Sequence, residues 1–261
     1  MQFCTFASGS SGNCALVSHG RTHLLLDAGI SFRRITASLR ALDLEPADVA
    51  GILITHEHTD HVCALKTLAK HLSLPVFASR GTAAALRKLA PELTPCITEF
   101  DPGETFVLGD VEARSFPTPH DTPQSVGYRL EAGGRSLAFA TDMGCVTQTV
   151  WEAVRGVDAA VIEANHDLLM LQTGPYPYVL KQRILSDRGH LSNDRCGALA
   201  AALVREGATR LLLAHLSREN NTPRRAYGTV CQALAEDGIL PDRDVALAVA
   251  PAAEPCLCFS V

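Results

Sequence analysis

The opening part of the chain sets short apolar runs between turn-forming residues. Gln2 to Ala7, Ala15 to Ser18 and His23 to Asp27 carry apolar and β-branched side chains flanked by Gly, Ser and Asn, the pattern of short strands joined as hairpins. The period then changes. Phe32, Ile35, Leu39 and Leu42 recur at helical spacing and predict a helix over Phe32 to Leu42. The unbroken apolar run Val49 to Ile54 reads as a buried strand, and a helix over Val62 to Leu72 follows it. Next come strand Val76 to Ala78, helix Thr82 to Leu89 and strands at Phe106 to Leu108 and Ala113 to Phe116. A hairpin runs from Val126 to Leu130 through Gly133-Gly134 to Leu137 to Ala140.

The second half pairs helices with strands: Gln148 to Val154 leads to Ala159 to Glu163, Arg195 to Arg205 to Leu211 to Ala214, and Arg224 to Ala235 to Val245 to Val249. Two strand-rich halves with interspersed helices fit an α/β architecture in which two sheets pack face to face under outer helices. Periodicity alone also fits other α/β folds. The polar residues just beyond the strand ends select among them.

The 261 residues contain no low-complexity tract and no Pro/Ser-rich linker, so residues 1–261 are read as one domain. Met1 to Leu16 has no basic segment followed by a long apolar one, and no run approaches the roughly 18 apolar residues of a membrane span, which predicts a soluble, cytoplasmic protein with no membrane partner. Nine Cys is an odd number without a C-x-x-C pair, so reduced core thiols are expected, and Cys256 and Cys258 are given no role. A net charge of −5 argues against a protein that coats nucleic acid by bulk electrostatics. It does not exclude a nuclease, because metal ions can supply positive charge at a phosphate. Arg33-Arg34, Arg87-Lys88 and Arg224-Arg225 could hold flanking phosphates, although each pair is more commonly a solvated surface.

Candidate chemistry concentrates in Thr55-His56-Glu57-His58-Thr59-Asp60-His61, which follows the Val49 to Ile54 strand directly. On extended chain His56 and His58 project to one side, while Asp60 and His61, where the next helix begins, can face a second ion. A single loop His would be an ordinary polar residue; four residues at this spacing suit two metals.

H-x-H-x-D-H after a buried strand is similar to the signature of the metallo-β-lactamase superfamily, and the remaining motifs follow in order. His120 in Pro117-Thr118-Pro119-His120-Asp121, Asp142 in Thr141-Asp142-Met143-Gly144 and His215 in Ala214-His215-Leu216-Ser217 match the other ligand positions. The resemblance implies a four-layer αββα sandwich holding two divalent ions, one on His56, His58, His120 and Asp142, the other on Asp60, His61, Asp142 and His215. Imidazole and carboxylate ligands without thiolate suit Zn²⁺ and also accept Mn²⁺. Two such ions can share a hydroxide, place it in line with a phosphorus or carbonyl centre and neutralise the developing oxyanion.

The fold does not choose the substrate. A secretion signal and a Cys in place of Asp142, expected of a true β-lactamase, are missing, and little more than one helix and two strands follow His215 where a glyoxalase II-like thioesterase adds a helical domain. The chain also has no room between His120 and Asp142 for the arm of tRNase Z-like proteins, nor between Asp142 and His215 for the inserted domain of β-CASP nucleases. It resembles the YycJ/WalJ group of bacterial metallohydrolases over nearly its whole length, through Ala7-Ser8-Gly9-Ser10-Ser11-Gly12-Asn13, Glu163-Ala164-Asn165-His166-Asp167, Gly174-Pro175-Tyr176-Pro177, Gly189-His190-Leu191-Ser192-Asn193 and His215-Leu216-Ser217-Arg218-Glu219-Asn220-Asn221-Thr222-Pro223. Ala164 departs from the pattern, where Ser is expected.

That resemblance implies a 5′-to-3′ exonuclease on DNA. Glu163 and His190 are similar to the pair that tRNase Z-like nucleases set beside the metals, which assigns His190 as general acid, Glu163 as its partner, and a metal-bound hydroxide, with Asp60 at the metals, as the attacking side. The bland alternative makes His190 a helix-start residue ahead of Ser192 and Asn193. Ser10, Ser11 and Asn13 of the Gly/Ser turn, with His166 and Asn193, are candidate substrate contacts, although the turn could equally be a tight strand connection. His19, His23 and His71 read as ordinary surface or core residues. Two other functions compete: a small-molecule phosphodiesterase acting on cyclic or nucleotide diesters, and a metal-stabilised interaction protein without turnover.

Overall fold

The structure is a computed structural model that describes residues 1–71, 74–253 and 258–261. One seven-stranded sheet runs in the order β14 (Cys258–Ser260), β1 (Gln2–Ala7), β2 (Cys14–His19), β3 (Thr22–Leu26), β4 (Val49–Leu53), β5 (Val76–Ser79) and β6 (Ile97–Phe100). The other runs β13 (Ala246–Val249), β12 (Arg210–Ala214), β11 (Ala159–Glu163), β10 (Arg135–Ala140), β9 (Val126–Ala132), β8 (Val111–Pro117) and β7 (Thr105–Leu108). Each sheet begins with antiparallel hairpins and continues with parallel strands, β3 to β6 in one and β10 to β13 in the other. Connections through helices reverse the chain outside the sheet, so the strands they link lie parallel.

The apolar pattern dictates the layers. Consecutive residues of β4 and β11 point to opposite faces, and both faces are buried. Leu53 and Val161 meet Phe3, Leu24, Tyr128 and Phe139 between the sheets. Ile52 packs beneath α1 (Phe32–Arg40), α3 (Leu65–His71) and α4 (Arg80–Leu89), against Ile35, Leu68 and Leu86. Ile162 packs beneath α5 (Gln148–Val154), α8 (Asn193–Arg205) and α9 (Pro223–Glu236), against Val150, Leu199 and Val230. This is the αββα sandwich of the metallo-β-lactamase fold. Among the described residues no helix is long and apolar enough to cross a membrane.

The predicted elements are present with small shifts at their ends, and the departures have local causes. The helix expected over Val62 to Leu72 is divided into α2 (Thr59–Val62) and α3, and the interruption lets the Ala64 amide donate to the Ala28 carbonyl at 2.9 Å, tying the His-rich loop to the end of β3. Leu72 lies outside the described residues. Helix α8 starts two residues before Arg195 because the Ser192 hydroxyl accepts from the Arg195 amide. Strand β6 and the two short helices α6 (Leu168–Thr173) and α7 (Tyr178–Leu185) are additions that periodicity did not mark, whereas β14 is the terminal strand expected around Cys256 and Cys258.

The free-thiol expectation fails at one pair. Antiparallel pairing of β14 with β1 sets Cys258 opposite Cys4, and the two form a disulfide across 254 residues of sequence. Only sheet register creates that proximity. Cys256 lies outside the described residues, and among the described ones Cys14, Cys63, Cys96, Cys145, Cys196 and Cys231 form no disulfide.

The loop after β3 fixes the His-rich loop in place. The Gly29 amide donates to the Asn13 carbonyl, the Asn13 amide to the Asp60 carbonyl and the Ala28 amide to the His61 carbonyl, each at 2.7 Å. A Cβ on Gly29 would land on the Asp60 carbonyl oxygen, so only glycine fits. Gly29→Ala should therefore lower the unfolding free energy by about 1–3 kcal/mol, as overpacking does elsewhere. Urea unfolding checks this, and wild-type stability would mean the loop yields freely.

Candidate active site

Every predicted metal-type residue lies beyond or at the C-terminal end of a strand, along one edge where the two sheets meet. His56, His58, Asp60 and His61 follow β4, His120 follows β8, Asp142 follows β10, Glu163 ends β11 and His215 follows β12. Asp142 and His215 hold left-handed backbone, φ 56° and 57°, as does Asp27 after β3 at φ 59°. Side chains other than Gly rarely adopt that region, and here it falls where the chain turns off a strand into the site.

The ligand atoms of His56, His58 and His120 lie within 4.8 Å of one another, as do those of Asp60, His61 and His215. Asp142 groups with His56 and His61, so it stands between the two sets. Its carboxylate is 3.5 Å from His61 Nε2 and 3.3 Å from His215 Nε2. The imidazoles are oriented from behind. His61 Nδ1 meets Asp27 Oδ2 at 2.8 Å, His120 Nδ1 donates to the Gly189 carbonyl at 3.1 Å, and His215 Nδ1 meets Glu163 Oε1 at 2.9 Å. Thr55 joins this support, its hydroxyl donating to Asp27 and lying 3.0 Å from His56 Nδ1. With Nδ1 engaged, Nε2 of His120 and of His215 is the nitrogen left for a cation.

Buried polar atoms are normally satisfied. Here, among the described residues, His120 Nε2, His215 Nε2 and Asp142 Oδ2 are buried without a hydrogen-bond partner, each belonging to one of these neighbouring groups. Imidazoles and carboxylates left unpaired in this way fit a divalent cation.

The electrostatics agree. Burial opposes charge on His61, but the Asp142 and Asp27 carboxylates outweigh it and raise its pKa to about 10. Burial likewise opposes charge on His215, and Asp142, with hydrogen bonds to Asp60 and Glu163, raises it well above the usual value. Desolvation dominates at His56, His58 and His120, which are lowered. Burial would raise Asp60, Asp142 and Glu163 too, yet the surrounding imidazoles hold all three below the ordinary carboxylate range. The site is therefore anionic and built for cations.

His190 stands beside this cluster. Its Nδ1 is 2.8 Å from Glu163 Oε1, while Glu163 Oε2 accepts from the Met143 amide at 2.9 Å. A cleft of about 240 Å³ opens over the residues, and Ser10, His58, Asp60, Asp142, His190 and His215 line it.

The other substrate candidates are placed differently. Ser10 lines the cleft, but Ser11 is exposed and does not. Asn13 is buried, its Nδ2 3.3 Å from Asp60 Oδ2 and 3.0 Å from His61 Nε2, so it braces the ligand loop. Asn193 is buried against Asn221, and His166, 1% exposed, has no partner for either ring nitrogen among the described residues. Burial lowers the His166 pKa to about 4, and neither residue lines the cleft. Asp27 and Thr55 were not given roles from sequence, and Ser8, in the turn read as a possible phosphate contact, is buried and its hydroxyl accepts from the His215 amide at 2.8 Å. An acidic residue closing the apolar run Leu24-Leu25-Leu26 was the available signal for Asp27.

The fold and site together define a metal-dependent hydrolase, and comparison with known proteins agrees. The beta-lactamase superfamily domain matches residues 22–216. Exodeoxyribonuclease YycJ of Bacillus anthracis is 38% identical over 91% of this chain and 90% of its own, and exodeoxyribonuclease WalJ of Streptococcus pneumoniae is 35% identical over 90% and 88%. The metallo-beta-lactamase fold protein YhfI of Bacillus subtilis superposes with a TM-score of 0.71 at 15% identity, covering 99% of this chain and 98% of its own. The chain belongs to the metallo-β-lactamase superfamily and, within it, to the YycJ/WalJ family.

Two outcomes follow from this geometry. Removing the Asp27 carboxylate frees the His61 ring, so Asp27→Ala should bind metal about 10–100-fold more weakly, the usual effect of losing a ligand's hydrogen-bond partner. Titration against a competing chelator measures it, and unchanged affinity would show that the ring is held without Asp27. Second, His61 and His215, raised above neutrality, carry protons at pH 7 and must release them to ligate, so metal loading should liberate about two protons per chain and tighten as pH rises toward 10. Calorimetry in buffers of different ionisation enthalpy reads the release. A proton-neutral titration would contradict the assignment.

Proposed function

We propose that residues 1–261 form one domain that hydrolyses DNA phosphodiesters from an end, with 5′-to-3′ polarity, using two divalent ions, of which Zn²⁺ suits the donor set and Mn²⁺ is also accommodated. The observation that carries this reading is the His190–Glu163 pair, 2.8 Å apart at the wall of the cleft and directly beside the two ligand sets. The exodeoxyribonuclease names of the 38% and 35% identical relatives support DNA as the substrate and the cytoplasm as its place.

His56, His58, His120 and Asp142 would hold one ion, and Asp60, His61, His215 and Asp142 the other. Bound there, the ions would activate water and neutralise charge on the phosphate. The remaining work belongs to the chain. Glu163 holds His190 through Nδ1 and fixes the tautomer, leaving Nε2 to donate a proton to the departing sugar oxygen. The same carboxylate orients His215, so ligand and proton donor share one anchor. A binding module would have no need of a proton donor over the ligand sets, and a small-molecule phosphodiesterase remains as an outcome of the assay.

End-labelled linear DNA should be degraded while a covalently closed circle resists. Rapid nicking of the circle would mean an endonuclease, and cleavage of cyclic nucleotides without any polymer would mean the small-molecule enzyme. His190→Ala should lose about 10²-fold or more on DNA, where an alkoxide departs, yet keep its metals and much of its rate on bis-nitrophenyl phosphate, whose leaving group needs no proton. Equal losses on both would assign His190 to positioning the phosphate.

A further inference from the structure

The segment between β11 and His190 carries none of the residues in the two ligand sets, yet it is rich in exposed apolar side chains. Among the described residues, Leu168, Leu169, Tyr178 and Val179 make up four of the seven large hydrophobic side chains exposed to solvent, with Tyr178 at 74% and Leu169 at 62% exposure. They lie on α6 and α7, either side of Gly174-Pro175-Tyr176-Pro177. The patch continues into the candidate active site, since Tyr176 and Leu180 line the cleft together with His190 and Asp142.

Charge singles out the same segment. In a chain with 28 acidic and 23 basic residues, positions 168 to 186 contain no Asp or Glu and include Lys181 and Arg183. Lys181 Nζ donates to the Gln172 carbonyl, tying α7 to α6, and Arg183 pairs with Asp121 at the cleft wall.

The platform is rigid. Two prolines restrict the turn, and the Gly174 amide donates to the Met170 carbonyl at 2.7 Å. A Cβ on Gly174 would press on that carbonyl and on Asn220 Oδ1, which belongs to the loop after His215, and the Asp167 amide donates to the Asn220 carbonyl. Rings on such a backbone lose little freedom when they meet a flat partner. An exposed aromatic ring beside cations is the kind of surface that stacks single-stranded bases while drawing the backbone past.

Resting on the nuclease reading above, we infer that the α6–α7 surface, centred on Tyr178 and Tyr176, is a stacking platform for the unpaired terminal nucleotides of the strand being degraded. In this arrangement the terminal phosphate and sugar enter the cleft of about 240 Å³ while the adjoining bases lie unpaired on the platform. Stacking on the tyrosines offsets the base stacking lost on opening.

The test titrates the metal-loaded protein into a duplex whose frayed 5′ end carries 2-aminopurine and hydrolysis-resistant phosphorothioate linkages, with hydrolysis of ordinary DNA followed separately. Binding should quench the 2-aminopurine, and Tyr178→Ala should weaken it about tenfold and remove the quench, as loss of a base–aromatic stack does. Tyr178→Phe and Tyr178→Trp should bind like the parent. Because Tyr178 is exposed, its loss does not threaten folding, and Tyr176→Ala provides an independent reading. Unaltered affinity and quench in both alanine variants, alongside normal DNA hydrolysis, would overturn the platform and leave the nuclease reading standing. A quenched complex with no hydrolysis of any polynucleotide would do the reverse. A sedimentation shift from dimer to monomer in Tyr178→Ala would overturn the platform by making the patch an interface between copies.

Discussion

The structure turns on one electrostatic problem: imidazoles and carboxylates are gathered, mostly out of water, with several ligating atoms left unpaired. Buried charge of this kind is tolerated only when it is compensated. Part of the compensation is internal, in the contacts of Asp27 with His61 and of Glu163 with His190 and His215. The rest is not supplied by the described residues, among which His120 Nε2, His215 Nε2 and Asp142 Oδ2 have no hydrogen-bond partner. A divalent cation is the species that such a donor set stabilises, and fold, metal affinity and protonation state are consequently linked.

The scaffold makes that crowding possible. Each sheet ends in parallel strands whose carboxyl ends point the same way, so β4, β10, β11 and β12 all deliver side chains to one edge. Three apolar layers hold those strands, between the sheets and under each helical layer, and the left-handed turns at Asp27, Asp142 and His215 swing the side chains inward. Rigid strands carry the ligands, whereas α6 and α7, which shape the approach to the cleft, are short helices around a proline-rich turn. Chemistry and access are thus assigned to different parts of the molecule.

Glu163 shows how closely the functions are coupled. One buried carboxylate meets both the His215 ring, which faces the ligand cluster, and the His190 ring, which lines the cleft. A change at Glu163 therefore disturbs both together, whereas a change at His190 leaves the ligand sets and their supports in place.

Much of this was legible in the chain because local periodicity reports burial and short-range spacing reports geometry. The run Val49 to Ile54 ahead of His56-Glu57-His58-Thr59-Asp60-His61 declared a buried strand presenting a loop of metal-type residues, and the structure gathers those side chains after such a strand. Helix Gln148 to Val154 and strand Ala159 to Glu163 match residue for residue, since their patterns end at clear turn residues. The supports were not legible. Asp27 is 34 residues from the His61 ring it steadies, and Asn13, read as a phosphate contact, lies 47 residues from the Asp60 it braces. The Cys4–Cys258 bond depends on a strand register spanning the chain, and nothing in cysteine spacing encodes it. Tyr178, at the start of α7, carries no periodic signal because its ring stands in solvent. The sequence by itself determined which residues are apolar, which could ligate and in what order they come. Only the tertiary structure decided which ring nitrogen faces a partner and which is left for a cation, because that depends on atoms brought together by sheet packing from distant parts of the chain.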